Sequence, residues 1–281
     1  MPLVIVPTPV GNLDDMTLRG LEALRNADVI ACEDTRRTLK LLNRYDIRKP
    51  LISYHMHNER TRTGEILDRL GRGENVALVS DAGTPGISDP GQILAAAAIE
   101  GGFPVDALPG ANALLPALLM SGIVSRGFHF AGFVGGSDSQ VASALSELSD
   151  IRDALIFYVA PHDLASFLDL ALHALGERRA ALVREISKVH QEAVRGMLEE
   201  LVLVSRTREL KGEMVLVVEG AGSPRPDVER SDWKFLATAM KKEGIWDKII
   251  ASVLFESYGI ARNTVKKFLS REAAENERER K

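Results

Sequence analysis

Apolar residues recur in two alternating rhythms along the first 110 positions. Short runs rich in Val, Ile and Leu lie at 3–7, 29–32, 51–54, 76–80 and 105–108, with the length and β-branched content of strands. Between them, segments 17–26, 35–42, 60–71 and 91–101 show the spacing of helices, most with one apolar face. In the first of these, Leu18, Leu21 and Leu24 fall on that face. Strand–helix alternation predicts a parallel sheet buried on both sides. The uncharged run Val76-Ala77-Leu78-Val79 suits an inner strand.

The helical pattern breaks near 120–126, at Ser-Gly-Ile-Val-Ser. Strand-like runs at 128–134, 155–159, 181–184 and 214–218, with helical patterns at 164–175 and 198–205, predict a second α/β layer with a mixed sheet. Residues 220–230, with two prolines and two glycines, read as a linker. Three helical patterns follow, at 232–242, 246–258 and 263–275, the last two joined by a turn at Gly259. The predicted organisation is an α/β domain over 1–120, a second α/β domain over 121–222, and a linker with a small helical domain over 223–281.

Composition refines this picture. The chain has 281 residues, 45% apolar and 26% charged, the range of a globular protein long enough for two domains. A single cysteine, Cys32, makes an internal disulfide impossible; in its apolar run it reads as a buried core thiol. The first seven residues carry no charged segment, so no signal peptide is expected. No apolar run approaches the roughly 20 residues that cross a bilayer. A cytoplasmic protein is the simplest expectation, with no membrane partner. The net charge of −4 argues against a general polyanion binder, but it is unevenly spread. Residues 36–72 carry ten basic against four acidic residues, and 229–281 carry a net +3. Such zones bind phosphates or are solvated helix faces.

The familiar G-x-G-x-x-G and G-x-x-x-x-G-K-[ST] signatures are absent. His55, His57 and Glu59 imitate a metal cluster, but no further ligand accompanies them and no metal is expected. Three Gly/Pro-dense loops directly follow predicted strands, at 7–13, 80–91 and 109–113. Parallel sheets bind ligands at the carboxyl ends of their strands. Glycine admits close approach and proline stiffens the loop. Three such loops on one sheet edge predict one shared pocket.

At these loops the sequence is recognisable. V-P-T-P-V-G-N-L (6–13), E-D-T-R (33–36), V-S-D-A-G-T-P-G-I-S-D-P-G (79–91), L-P-G-A (108–111) and K-G-E-M-V-L-V-V-E-G (211–220) occur in order. They resemble the bacterial 16S rRNA (cytidine-2′-O)-methyltransferases of the tetrapyrrole methylase superfamily. The resemblance implies two α/β domains with S-adenosylmethionine in the cleft between them, usually in a homodimer acting on 16S rRNA of the small subunit. By matching positions it implies a cofactor pocket of Pro9 and Gly11, then Ser80, Asp81, Gly83, Thr84 and Pro85, then Pro109, Gly110 and Ala111. Phe157, Tyr158, Gly212, Glu213 and Met214 would close over it from the second domain. Asp34, and Glu185 with Lys188, are the groups that could take the hydroxyl proton, each alternatively a member of a structural ion pair. Arg36, Arg37 and Arg60, with Lys266 and Lys267 of the last helix, are the expected RNA contacts, joined there by Arg271.

The chain departs from the family pattern at three places in the second domain, the mildest being Ser187 where the family's R-E-L-T-K has a threonine. Segment 132–139 lacks the usual basic residues, and Val159-Ala160-Pro161-His162-Asp163 lacks a glutamate and an arginine. Two alternatives follow: a methyltransferase for a small tetrapyrrole, and a non-catalytic RNA-binding relative. The first lacks its usual opening loop here; the second rests only on these lost residues.

Overall fold

The computed structural model describes residues 2–222, 232–242, 244–258, 260 and 262–279. They form two compact units, Met1–Gly220 and Ala221–Lys281. Most of the predicted linker, and Gly259, lie outside the described residues.

The first unit opens with strands β1 (Leu3–Ile5), β2 (Val29–Cys32), β3 (Leu51–Ser53), β4 (Val76–Val79) and β5 (Val105–Ala107). They form a five-stranded parallel sheet of order β3-β2-β4-β1-β5. Helices α1 (Leu18–Asn26), α2 (Thr35–Arg44), α3 (Glu59–Gly71) and α4 (Gln92–Glu100) connect them. Side chains alternate across each strand, which decides what packs where. Val4, Ile30, Cys32, Ala77 and Val79 meet Leu21 and Leu24 of α1 and Leu41 and Leu42 of α2. Leu3, Val29, Ala31 and Leu78 face the other way, toward Ile66 of α3 and Leu94 of α4. Every residue of β2 and β4 is buried, as central strands covered on both faces require. Cys32 is buried in this core, and that burial raises its thiol pKa.

One helical residue departs from its expected place. Leu18 is 85% exposed, because Thr17 caps α1 and its Oγ1 accepts from Gly20 N. Leu18 therefore occupies the first helical position, and only Leu21 and Leu24 of the expected stripe are buried.

The second sheet contains β6 (Phe128–Phe133), β7 (Ala154–Val159), β8 (Arg179–Arg184), β9 (Glu192–Met197) and β10 (Met214–Val218), in order β6-β7-β10-β8-β9. Only β6 and β7 are parallel, so the sheet is mixed as expected. Helices α6 (Asp138–Glu147), α7 (Leu164–Leu175) and α8 (Leu198–Thr207) cover one face around Leu155, Phe157, Leu182 and Leu216. Helix α5 (Leu114–Ser121), which follows the first sheet in sequence, packs on the opposite face against β8 and β10.

The second unit holds α9 (Asp232–Lys242), α10 (Asp247–Tyr258) and α11 (Arg262–Glu279). Trp233, Ala237, Ile250, Leu254, Val265 and Leu269 give it a core of its own. Among the described residues no helix is long and apolar enough to cross a membrane.

Candidate functional site

All strands of the first sheet run one way, so their carboxyl-terminal loops gather on one edge. Hydrogen bonds stitch these loops together. Thr8 and Gly83 exchange backbone bonds of 2.8 Å, and Thr8 Oγ1 donates to Ser80 O at 3.0 Å. Ser80 Oγ donates to Gly83 O at 3.2 Å, and Thr84 Oγ1 to Ala111 O at 2.9 Å. Gly83 sits at φ +85°, a region that glycine enters freely.

The same edge meets the second sheet. A Cβ on Gly11 would lie 2.5 Å from Ile186 O and 2.8 Å from Ser187 Oγ. Asn12 N donates to that Ser187 hydroxyl at 3.1 Å. Glu185 and Ser187 both hold positive φ, at 52° and 61°. A Cβ on Gly212 would lie 2.1 Å from Glu185 Oε1. Gly11 therefore permits the contact across the sheets, and Gly212 makes room for Glu185 within the second sheet's side.

Between the sheets lies a cavity of about 400 Å³. The first sheet contributes Glu33, Arg37, Asp81, Gly83, Thr84, Ser88 and Asp89 to its wall. Phe133, Tyr158, Ile186, Gly212, Glu213 and Met214 face them from the second. Asn112 and Ala113 close the side between. Volume and mixed apolar and polar walls fall in the range of small-molecule sites.

The ionisable groups on this wall are perturbed. Burial, and then the charge of Glu33, push the Asp89 carboxyl up to about 7. Burial and the charge of Asp81 raise Glu33, although the Asp81 backbone N–H and Arg37 partly offset this. Burial and Asp89 push the Tyr158 phenol up to about 12. Asp81 Oδ1 accepts from Asp34 N at 3.0 Å, and Arg37 lies 3.5 Å from Asp81 Oδ2.

Of the residues expected at a cofactor, Asp81, Gly83, Thr84, Tyr158, Gly212, Glu213 and Met214 line this cavity. Pro9, Gly11, Ser80, Pro85, Pro109, Gly110 and Ala111 lie in the same loops but are not among its lining residues. There Ser80 ties its loop together, and Gly110 packs on Pro7, where a Cβ would lie 2.7 Å from the ring. Phe157 points the other way, into the second sheet's core, with its ring 5.4 Å from Phe167. Strand alternation explains why Tyr158 faces the cavity and Phe157 does not.

Asp34 is the N-cap of α2, where its Oδ1 accepts from Arg36 N at 2.8 Å, and this bond holds its pKa low. Lys188 Nζ donates to Glu185 at 3.0 Å and to Glu213 at 2.8 Å. Burial opposes the charge on Lys188, but these two partners outweigh it and its pKa is raised. The Lys188 bond lowers Glu185 in turn. None of Asp34, Glu185 or Lys188 is among the lining residues.

Among the expected RNA contacts, Arg37 belongs to the cavity wall, while Arg36 and Arg60 are exposed. Lys266 and Lys267 are exposed on α11 of the second unit; the side chain of Arg271 lies outside the described residues. His55 and His57 stand 5.9 Å apart, ring edge to ring face. Asn58 donates its amide to Ser53 O and accepts from His55 N, which fixes the Asn58 side chain.

Sequence reasoning missed Glu33, Asp89, Phe133 and Ile186. Two of these had an available signal. Glu33 directly follows a central strand of a parallel sheet, and Asp89 belongs to the most specific loop block.

The family model described as Tetrapyrrole (Corrin/Porphyrin) Methylases matches residues 2–202. The protein "Ribosomal RNA small subunit methyltransferase I" of Halalkalibacterium halodurans is 44% identical over 241 residues, 86% of this chain and 83% of its own. Its namesake of Haemophilus influenzae is 38% identical over 269 residues, 95% of both chains. Among solved structures, uroporphyrin-III C-methyl transferase from Thermus thermophilus, complexed with S-adenyl homocysteine, has a TM-score of 0.55 at 20% identity. That likeness covers 78% of this chain and 97% of that one. Diphthine synthase reaches 0.58 at 15% identity, over 78% of this chain and 90% of its own. The family match spans the first sheet, strands β6 to β9 of the second and most of the cavity wall, and the chain belongs to the tetrapyrrole methylase family.

Proposed function

We propose that this protein transfers the methyl group of S-adenosylmethionine to the ribose 2′-hydroxyl of a cytidine in 16S rRNA of the small ribosomal subunit. One observation carries the reading. A relative named as a small-subunit rRNA methyltransferase matches over 95% of both chains, well beyond the family segment. The second reading, methylation of a small tetrapyrrole, rests on solved structures that share only the fold.

The cavity suits the cofactor. Glu33, Asp81, Asp89 and Glu213 face it against one Arg37, which favours a cationic sulfonium over an anionic ligand. The methyl donor is already activated by its positive sulfur. The protein's part is to align donor and acceptor, exclude water and receive a proton. Segments 1–120 and 121–222 supply the two walls, and 223–281 supplies RNA contacts through Lys266 and Lys267. Arg36 and Arg60 of the first unit supply further basic contacts. The enzyme works in the cytoplasm as a homodimer, for which Leu119 and Val124, 82% and 94% exposed, offer apolar surface.

The test uses methyl-labelled S-adenosylmethionine with small subunits that lack the modification. Label is expected at one cytidine, in a linkage that resists alkaline cleavage as a 2′-O-methyl ribose does. Cofactor binding without transfer to RNA would overturn the reading. Label on a uroporphyrinogen-type tetrapyrrole instead would install the alternative.

A further inference from the structure

Neither Asp34 nor Lys188 is free to receive a proton, since one caps a helix and the other is a cation held by two carboxylates. Asp89 has a different setting. It lies near the end of the loop between β4 and α4 and follows Ser88, which holds φ +63°. The Ser88 hydroxyl reaches the second sheet, where a Cβ on Gly132 of β6 would lie 2.8 Å from it. Asp89 therefore stands on the cavity wall where the two sheets meet. The titratable and charged groups around it are Glu33 after β2, Arg37 on α2, Asp81 after β4, Tyr158 on β7 and Glu213 before β10, with the Ser80 hydroxyl as a hydrogen-bond partner.

We propose that Asp89 is the catalytic proton acceptor of the methyl transfer, and that Glu33 is a positioning residue that acts through it by charge. The proposal rests on the methyltransferase reading above. As the acceptor's hydroxyl oxygen bonds the methyl carbon, the carbon–sulfur bond breaks and its electron pair stays on sulfur. The hydroxyl proton passes to the Asp89 carboxylate, which returns it to solvent after the product leaves. Tyr158 stays protonated throughout the working range. Glu33 accepts from the Asp81 N–H and supplies the negative charge beside Asp89. A carboxyl that titrates near neutrality is matched to a general base.

Two variants test this, Asp89→Asn and Glu33→Gln, each checked for folding by circular dichroism. In the unliganded protein, carboxyl ¹³C NMR should show Asp89 titrating near pH 7, with the signal assigned by its loss in Asp89→Asn. Glu33→Gln removes a negative charge, so the Asp89 midpoint should move to lower pH. The acid limb of the kcat profile on small subunits should move with it. Asp89→Asn should lose about 100-fold or more in kcat above about pH 7, and the acid limb should vanish from its profile. A kcat within about tenfold of wild type in that range, or an Asp89 that titrates as an ordinary carboxyl, overturns the assignment. An inactive wild-type protein overturns the proposed function and this assignment with it. An active wild type beside an equally active Asp89→Asn variant overturns the assignment alone.

Discussion

Burial makes ionisation of Asp89 unfavourable, and this bears on stability as well as chemistry. Its carboxyl holds its proton to about pH 7 in the fold, against an ordinary value of 3.8 in the unfolded chain. Between those values the folded state binds the extra proton, so stability from this group falls as pH rises through that window. Asp89→Asn removes the cost. The variant should melt above wild type at pH 8, with the gap closing toward pH 4; calorimetry showing an equal gap at both would contradict this. The same residue shows where reading the sequence stops. Asp34 and Glu33 are neighbours in one motif, and only their geometry separates a helix cap from a cavity carboxylate. Phe157 and Tyr158 divide in the same way across one strand. Motif matching brings out the right segments, and the direction of each side chain comes from pleat and cap.

Elements with a strong apolar signal were readable from the sequence, and those without one were not. The parallel strands, buried on both faces, appear as short apolar runs, and β2 falls at its expected limits, Val29–Cys32. The edge strand β9 (Glu192–Met197) is only partly buried, and its polar residues hide the alternation. Helix α6 buries just Val141 and Leu145, leaving as its signal the Ser137–Gln140 capping box. Edge strand β9 is held by charge as well as by its ladder. Glu192 accepts from Arg208 at 2.7 Å and Arg184 at 2.8 Å, and these bonds hold its carboxyl down at about 2. A depressed folded pKa contributes stability above the ordinary value of 4.5, lost as pH falls toward 2. Glu192→Gln should therefore lower Tm at pH 7 and have little effect near pH 2. A pH-independent shift would mean the pair contributes only packing.

At the level of the whole chain, a near-neutral total conceals a division. The tail carries a net +3 in a unit with its own core, and the first unit carries the cavity. A chain ending at Gly222 should keep its affinity for S-adenosylhomocysteine, measured by calorimetry. Its affinity for small subunits should fall, with a shallower dependence on salt concentration. Unchanged RNA affinity would remove α11 from the interface. Sequence order made the three loops readable as one pocket, because a parallel sheet collects its loops on one edge. The opposing wall was less readable, since Phe133 and Ile186 come from distant segments around a mixed sheet.

That two-sided wall has a mechanical consequence. Each sheet has its own core, and the cavity exists only while both stay in register across the Gly11–Ile186 and Gly132–Ser88 contacts. A ligand seated there acts as a strut between two otherwise separate springs. Occupancy should stiffen the joint and delay its melting before any methyl group moves.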